Sequence, residues 1–165
     1  MAVVDLNDIK EQVQTKLQSA NTTSSSNDLS DNLPTRVQRI VKTNSTRIPI
    51  QATWYPYVSI HIGDKITDTE VIATSNEYGK RMGTVNMQII GGVWNSIFED
   101  VDEDLSDEDC ENLMMNIEAI LAEDVTLSDS VTWHQPTVVQ YHNIALDEGA
   151  NLRVGIMNVQ CTVFY

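Results

Sequence analysis

The sequence predicts an α+β fold: a mostly antiparallel β-sheet with two main α-helices packed on one face. Three observations carry this. Two stretches place apolar residues at helical spacing, several others alternate apolar and polar residues, and no strand–helix repeat of fixed period runs through the chain. The 165 residues suit a single domain spanning 1–165, and 41% apolar content is enough for a real core.

The first helix covers Leu6–Ala20. Leu6, Ile9, Val13 and Leu17 share a face, with Asp5, Asp8 and Glu11 near the start and Lys16 near the end. A polar loop, Asn21–Asn27, follows, and turn-forming residues continue to Pro34. Val37, Ile40 and Val41, flanked by Arg36, Arg39 and Lys42, fit one helical turn or an early strand equally well. After Trp54, Tyr55, Pro56 and Tyr57, the alternation of Val58, Ile60 and Ile62 with Ser59 and His61 predicts a strand. Gly63–Asp64–Lys65 then reads as a turn and Ile66–Thr74 as a second strand. Thr84–Val93 predicts a third, with Val85, Met87 and Ile89 on one side. Gly91–Gly92 predicts a bulge or a close backbone approach.

The second helix carries Cys110, Leu113, Met114, Ile117, Ile120 and Leu121 as one stripe. Ser106 is expected as its N-cap with Asp109 completing a capping pair, which puts Asp107, Glu108 and Asp109 in the first turn. Glu123 and Asp124 lie at the end the helix dipole disfavours for acids, with no base nearby in sequence. Val131–Ile144 predicts an extended segment interrupted at Pro136, which suits an edge or a bulge. Asp147–Asn151 reads as a hairpin connection. In the last strand the alternation runs through Leu152, Val154 and Ile156, then switches parity to Val159, Cys161 and Val163. That switch predicts another bulge.

Charge narrows the function. The net charge is −14. Residues 1–81 hold nine acids and nine bases, whereas residues 82–165 hold fifteen acids and one base, Arg153. Gripping nucleic acid or an anionic membrane requires clustered Lys and Arg, so both roles are disfavoured. A strongly negative region suits a surface that repels another polyanion. The chain starts Met1–Val4 and meets Asp5 at once, and its longest uncharged stretches, Met82–Phe98 and Ser130–Leu146, are interrupted by polar side chains. No targeting or membrane segment is therefore expected, and Cys110 and Cys161 are expected as reduced core thiols in a soluble, intracellularly made protein.

No residue set points to catalysis, a cofactor or a metal centre. The run Glu99–Glu111 holds nine carboxylates in thirteen residues and nearly spells a calcium loop, with Asp100, Asp102, Asp104, Glu108 and Glu111 at ligand positions. Leu105 stands where that loop needs glycine for its sharp turn, so a solvated acidic loop is the expectation. His61, His134 and His142 have no zinc spacing, and no nucleophile motif or phosphate loop is present. Lys80–Arg81 reads as part of a turn, and Trp54, Trp94 and Trp133 as core or interface anchors.

Several stretches together resemble the tail terminator family of tailed phages. They are the amphipathic helix Leu6–Ala20, the segment Trp54–Ile62 (WYPYVSIHI) and the strand Met82–Trp94 running through an acidic loop into the helix Cys110–Leu121. The strands Val138–Ile144 and Leu152–Tyr165, closing on an aromatic terminus, complete the pattern. The resemblance implies a homohexameric ring that caps the tail tube, ends its polymerisation and joins the tail to the neck. It implies a virion protein made in the host cytoplasm, without enzymatic activity or cofactor. Its partners would be the tail tube protein and a head-completion or stopper protein, and DNA would pass through a channel without specific binding. Candidate ring contacts are strand edges near Pro136 and the terminus Phe164–Tyr165. Alternative readings are a head-completion or head–tail adaptor protein, a calcium-binding module resting on Asp100–Glu111, and an enzyme whose site assembles only in three dimensions.

Overall fold

The computed structural model describes residues 5–43, 51–72, 80–96, 103–146 and 150–164. In chain order these form α1 (Leu6–Ala20), β1 (Arg39–Lys42), β2 (Tyr57–Ile72), β3 (Lys80–Ser96), α2 (Glu103–Ala122), β4 (Trp133–Ala145) and β5 (Ala150–Phe164), with a short 3-10 turn at Ala52–Trp54. The strands make one five-stranded sheet in the order β1-β2-β3-β5-β4. Among the described residues only the β1–β2 pair is parallel. The fold is α+β, with both helices on one face of the sheet.

Helical spacing decides the core. Ile9, Val13 and Leu17 of α1 are buried, as are Cys110, Leu113, Met114, Ile117, Ile120 and Leu121 of α2. They pack on Val58 and Ile60 of β2, Val85, Met87 and Ile89 of β3, and Met157, Val159, Cys161 and Val163 of β5. Fully burying one such aliphatic side chain stabilises the fold by about 1.5–3 kcal/mol. Asp5 starts α1 as N-cap, its carboxylate accepting the backbone N–H groups of Asn7 at 2.8 Å and Asp8 at 3.3 Å. The ambiguous cluster at 37–41 resolves as β1, because Ile40 pairs with Val58 and its side chain enters the core.

The Gly91–Gly92 pair marks close approach, not a bulge, since pairing to both neighbours runs through it unbroken. Gly91 sits directly opposite Gly155 of β5. A Cβ on Gly91 would lie 2.7 Å from the Met114 sulfur, and one on Gly155 2.5 Å from Met114 Cγ. The two glycines form the seat on which α2 rests.

Four expectations are corrected. Gly63–Asp64–Lys65 is no turn: β2 continues through it, absorbing one irregularity between Ile62 and Asp64. Lys80–Arg81 belongs to β3, paired with Ile72 and Val71. α2 begins at Glu103, so Ser106 lies inside the helix rather than capping it, and Asp107–Asp109 fall past the first turn. The parity switch in β5 is no bulge either. Its register with β3 is continuous from Ala150 to Phe164. Leu152, Val154 and Ile156 instead face away from the helices, into a second apolar cluster with Tyr55, Tyr57, Ile90, Trp54 and Trp94. Alternation in one strand thus serves two cores on opposite faces. The irregularity lies on β4, between Pro136 and Val138, as expected for that proline.

Glu123 and Asp124 find tertiary partners that sequence proximity hides. Lys16 of α1 reaches Asp124 at 2.6 Å, and Ser26 and Asn27 donate to Glu123. Asp124 also accepts from Thr126 N and Oγ1 and from Ser128 N, at 3.0, 2.8 and 2.8 Å. These bonds hold its carboxyl well below the usual carboxylate range, the Lys16 ammonium foremost. They also fasten a left-handed turn at Leu127, Ser128 and Asp129, whose φ values are 48°, 57° and 66°.

Candidate docking surfaces of the sheet

Alternation along the strands sorts side chains onto two faces, and the helices cover one. On the other, three rows cross four strands: Ile66–Thr84–Thr162–Trp133, Asp64–Asn86–Gln160–Gln135 and His61–Gln88–Asn158–Val138. From strand and residue spacing the rows span roughly 14 Å by 14 Å. Asp64 is their one charged side chain, and it accepts from Asn86 Nδ2 at 2.7 Å. Gln88 Nε2 donates to Asn158 Oδ1 at 3.1 Å. A cavity of about 310 Å³ lined by Asn86, Thr137, Asn158, Val159 and Gln160 opens beside the β4 irregularity. Exposed apolar side chains frame the rows, with Ile66 at 53%, Trp133 at 43% and Val138 at 48% of full exposure. In a chain of net charge −14 this amide face is almost uncharged.

The rows end at an edge strand. β4 is 13 residues long and carries no Lys, Arg, Asp or Glu, and among the described residues it pairs only with β5. Long edges without charge or covering are templates for another chain. The opposite edge is protected. β1 has four residues, among them Arg39 and Lys42, and Gln14 of α1 donates to the Ile40 carbonyl at 3.0 Å. Pro136 stands on the open edge, where the sequence placed a ring contact. The Phe164 backbone closes β5 against Met82, and Tyr165 lies outside the described residues.

The second apolar cluster occupies the far end of the same face. Tyr55 and Trp94 have ring centroids 5.6 Å apart, and Tyr55 and Tyr57 5.9 Å. Burial pushes the Tyr55 and Tyr57 hydroxyls up, so both remain protonated at neutral pH. Trp54 and Trp94 are therefore packing anchors, whereas Trp133 is presented to solvent.

The residues weighed for chemistry are dispersed. His61 sits on the open face of β2 with Nδ1 3.4 Å from the Thr43 carbonyl. His134 is buried on the helix side, its Nε2 3.0 Å from the Asp124 carbonyl, and His142 is exposed on β4. Among the described residues no group of His, Cys, Asp and Glu could hold a metal ion. The calcium-loop reading meets a direct obstacle. Residues from Glu103 onward are helical, so Asp104, Glu108 and Glu111 do not lie on a loop, while Asp100 and Asp102 lie outside the described residues. Cys110 and Cys161 are buried free thiols, each pushed up to about 12 by desolvation. Arg153 is held under α2 by Asp107 at 3.1 Å, with its guanidinium 5.4 Å from the Tyr141 ring centre. No helix among the described residues is long and apolar enough to cross a membrane.

Sequence reasoning located the edge near Pro136 but missed the amide face. Alternation in Thr84–Val93 was visible, yet nothing local tells whether its polar side meets water, a helix or another sheet. No protein-family model matches the sequence, and no curated protein gives a significant match.

Proposed function

We propose that this protein is a structural subunit of the tail terminator kind. It forms a ring, homohexameric by the family resemblance, that caps a phage tail tube, ends its growth and presents a new surface to the neck. The observation that carries the reading is the nearly uncharged sheet face ending in strand β4, whose outer edge has no partner strand among the described residues. Such a surface docks protein by shape and hydrogen bonding and does not select a charged small molecule. Capping demands that combination: complementarity to the tube end and refusal of a further tube subunit. The excess of fourteen negative charges in residues 82–165 suits a conduit through which DNA moves without being held. Under this reading the protein works by occupancy, without chemistry or cofactor, inside the virion. It meets the tail tube protein on one side and a head-completion or stopper protein on the other.

Deleting the gene from the phage that encodes it and imaging the lysate by electron microscopy tests this. Overlong tubes beside unattached full heads are expected. Normal-length tails joined to heads would refute it. Normal tails beside leaking heads would instead favour a head-completion or adaptor role, the same docking surface serving a different neck position.

A further inference from the structure

We propose that the cleft beside the β4 irregularity binds an uncharged saccharide, one sugar ring entering the cleft and the next resting on Trp133. The site does not depend on the ring reading: a subunit that forms no ring would bind the sugar equally well. The cleft holds about 310 Å³, at the small end of ligand pockets and on the scale of one sugar ring. Its polar walls come from three strands, with Asn86 on β3, Thr137 on β4 and Asn158 and Gln160 on β5. Thr137 is placed there by the irregularity. Pairing passes from Pro136 with Val159 to Val138 with Asn158, so Thr137 has no register partner on β5, and its hydroxyl donates to the Asn158 carbonyl at 3.3 Å.

The amides are oriented before any ligand arrives. Asn86 Nδ2 donates to Asp64 at 2.7 Å, and Gln88 Nε2 donates to Asn158 Oδ1 at 3.1 Å. Each bond fixes which end of its amide faces which way. No side-chain hydrogen bond among the described residues takes up Asn86 Oδ1, Asn158 Nδ2 or the exposed Gln160 amide. The cleft thus offers both acceptors and donors, the pairing that sugar hydroxyls need because each of them donates and accepts. Charge excludes the other small ligands. The three rows around the cleft contain no Lys or Arg to hold a phosphate or carboxylate, and their one carboxylate, Asp64, is engaged by Asn86. A nucleotide would stack on Trp133 but would bring phosphates to a chain of net charge −14. Trp133 is 43% exposed and lies two residues before Gln135, the register partner of Gln160, on the same face. Same-face neighbours along a strand stand about 7 Å apart, so the indole is within reach of the ring adjoining the one in the cleft. Its apolar surface suits the C–H side of that ring.

The test uses the full-length protein and an array of uncharged and acidic oligosaccharides, followed by NMR titration of the nitrogen-15-labelled protein with the best uncharged binder. The side-chain amide signals of Asn86, Asn158 and Gln160 and the Trp133 indole N–H are expected to shift together and saturate. Gln160→Ala and Trp133→Ala, both at exposed positions and checked for folding by circular dichroism, should each weaken binding about fivefold, the worth of one hydrogen bond or one stacking contact. Gln18→Ala, exposed on α1, should leave it unchanged. Binding to no uncharged oligosaccharide would overturn the proposal. So would tighter binding of acidic ones, shifts confined to residues outside the cleft, or folded Gln160→Ala and Trp133→Ala variants that bind as the wild type does.

Discussion

Gly155→Ala should destabilise the protein through a single contact. The new methyl would lie 2.5 Å from Met114 Cγ, 2.9 Å from its sulfur and 3.3 Å from Tyr141 Cε1. Met114 is 1% exposed, wedged between α2 and the sheet, so it cannot swing into solvent. Forcing a methyl into a filled core costs about 1–3 kcal/mol. Restricting the unfolded chain returns about 0.4–1 kcal/mol. The net loss is then about 1–2 kcal/mol, and each kcal/mol lowers the melting temperature of a domain this size by about 2–4 °C. Urea unfolding followed by tryptophan fluorescence measures it as a lower midpoint at unchanged slope. Met114→Ala alone should cost about 2–5 kcal/mol through the cavity it leaves. In the double variant the methyl occupies part of that cavity, so the two losses should fall short of additivity by about 1 kcal/mol or more. Gly63→Ala is the control, since its Cβ would meet nothing closer than the Asn86 carbonyl at 3.7 Å. Wild-type stability for Gly155→Ala, or strict additivity with Met114→Ala, would refute the close-approach account of this glycine.

Asp124→Asn should lower stability at neutral pH by about 1 kcal/mol, since it removes the charge facing Lys16 across a partly exposed site. The Asp124 carboxyl titrates below its unfolded value, so its contribution is present above about pH 4 and fades as pH falls further. The gap between variant and wild type in pH-dependent melting should therefore close in acid; a gap that widens there would contradict the pairing. Ser30→Ala should cost about 1–3 kcal/mol in urea unfolding, because the buried Ser30 hydroxyl accepts the Val37 N–H at 2.9 Å and leaves it unpaired when removed. Ser128→Gly should raise stability by about 0.5–1 kcal/mol, because Ser128 is exposed at φ 57°, where glycine is unstrained; a loss in calorimetry would count against the turn. Cys110 and Cys161 should stay unmodified by a thiol reagent at mildly alkaline pH until denaturant is added, and rapid labelling of either in the native protein would contradict their burial.

The sequence by itself determined the periodic elements. The α1 and α2 stripes, the strand face Val85–Met87–Ile89 and the edge character of the Pro136 segment were all legible, because each depends on residues within one or two turns or on a missing N–H. Capping and turns were less legible: Ser106 falls inside α2 because the helix already runs through Glu103 and Asp104, acids that suit an N-terminal turn, and β2 runs through Gly63 because its partner β3 keeps pairing past the irregularity. Only the tertiary structure decided what opposes what. The β5 parity switch has one local signature whether a strand bulges or is buried on both faces, and the second apolar cluster made it the latter. Likewise the acids Glu123 and Asp124 meet Ser26, Asn27 and Lys16 across about a hundred residues of chain, a proximity set by helix packing that no local pattern encodes. The open amide face belongs to the same class. Its rows join residues of four strands, and it exists as a surface only because both helices chose the other side of the sheet.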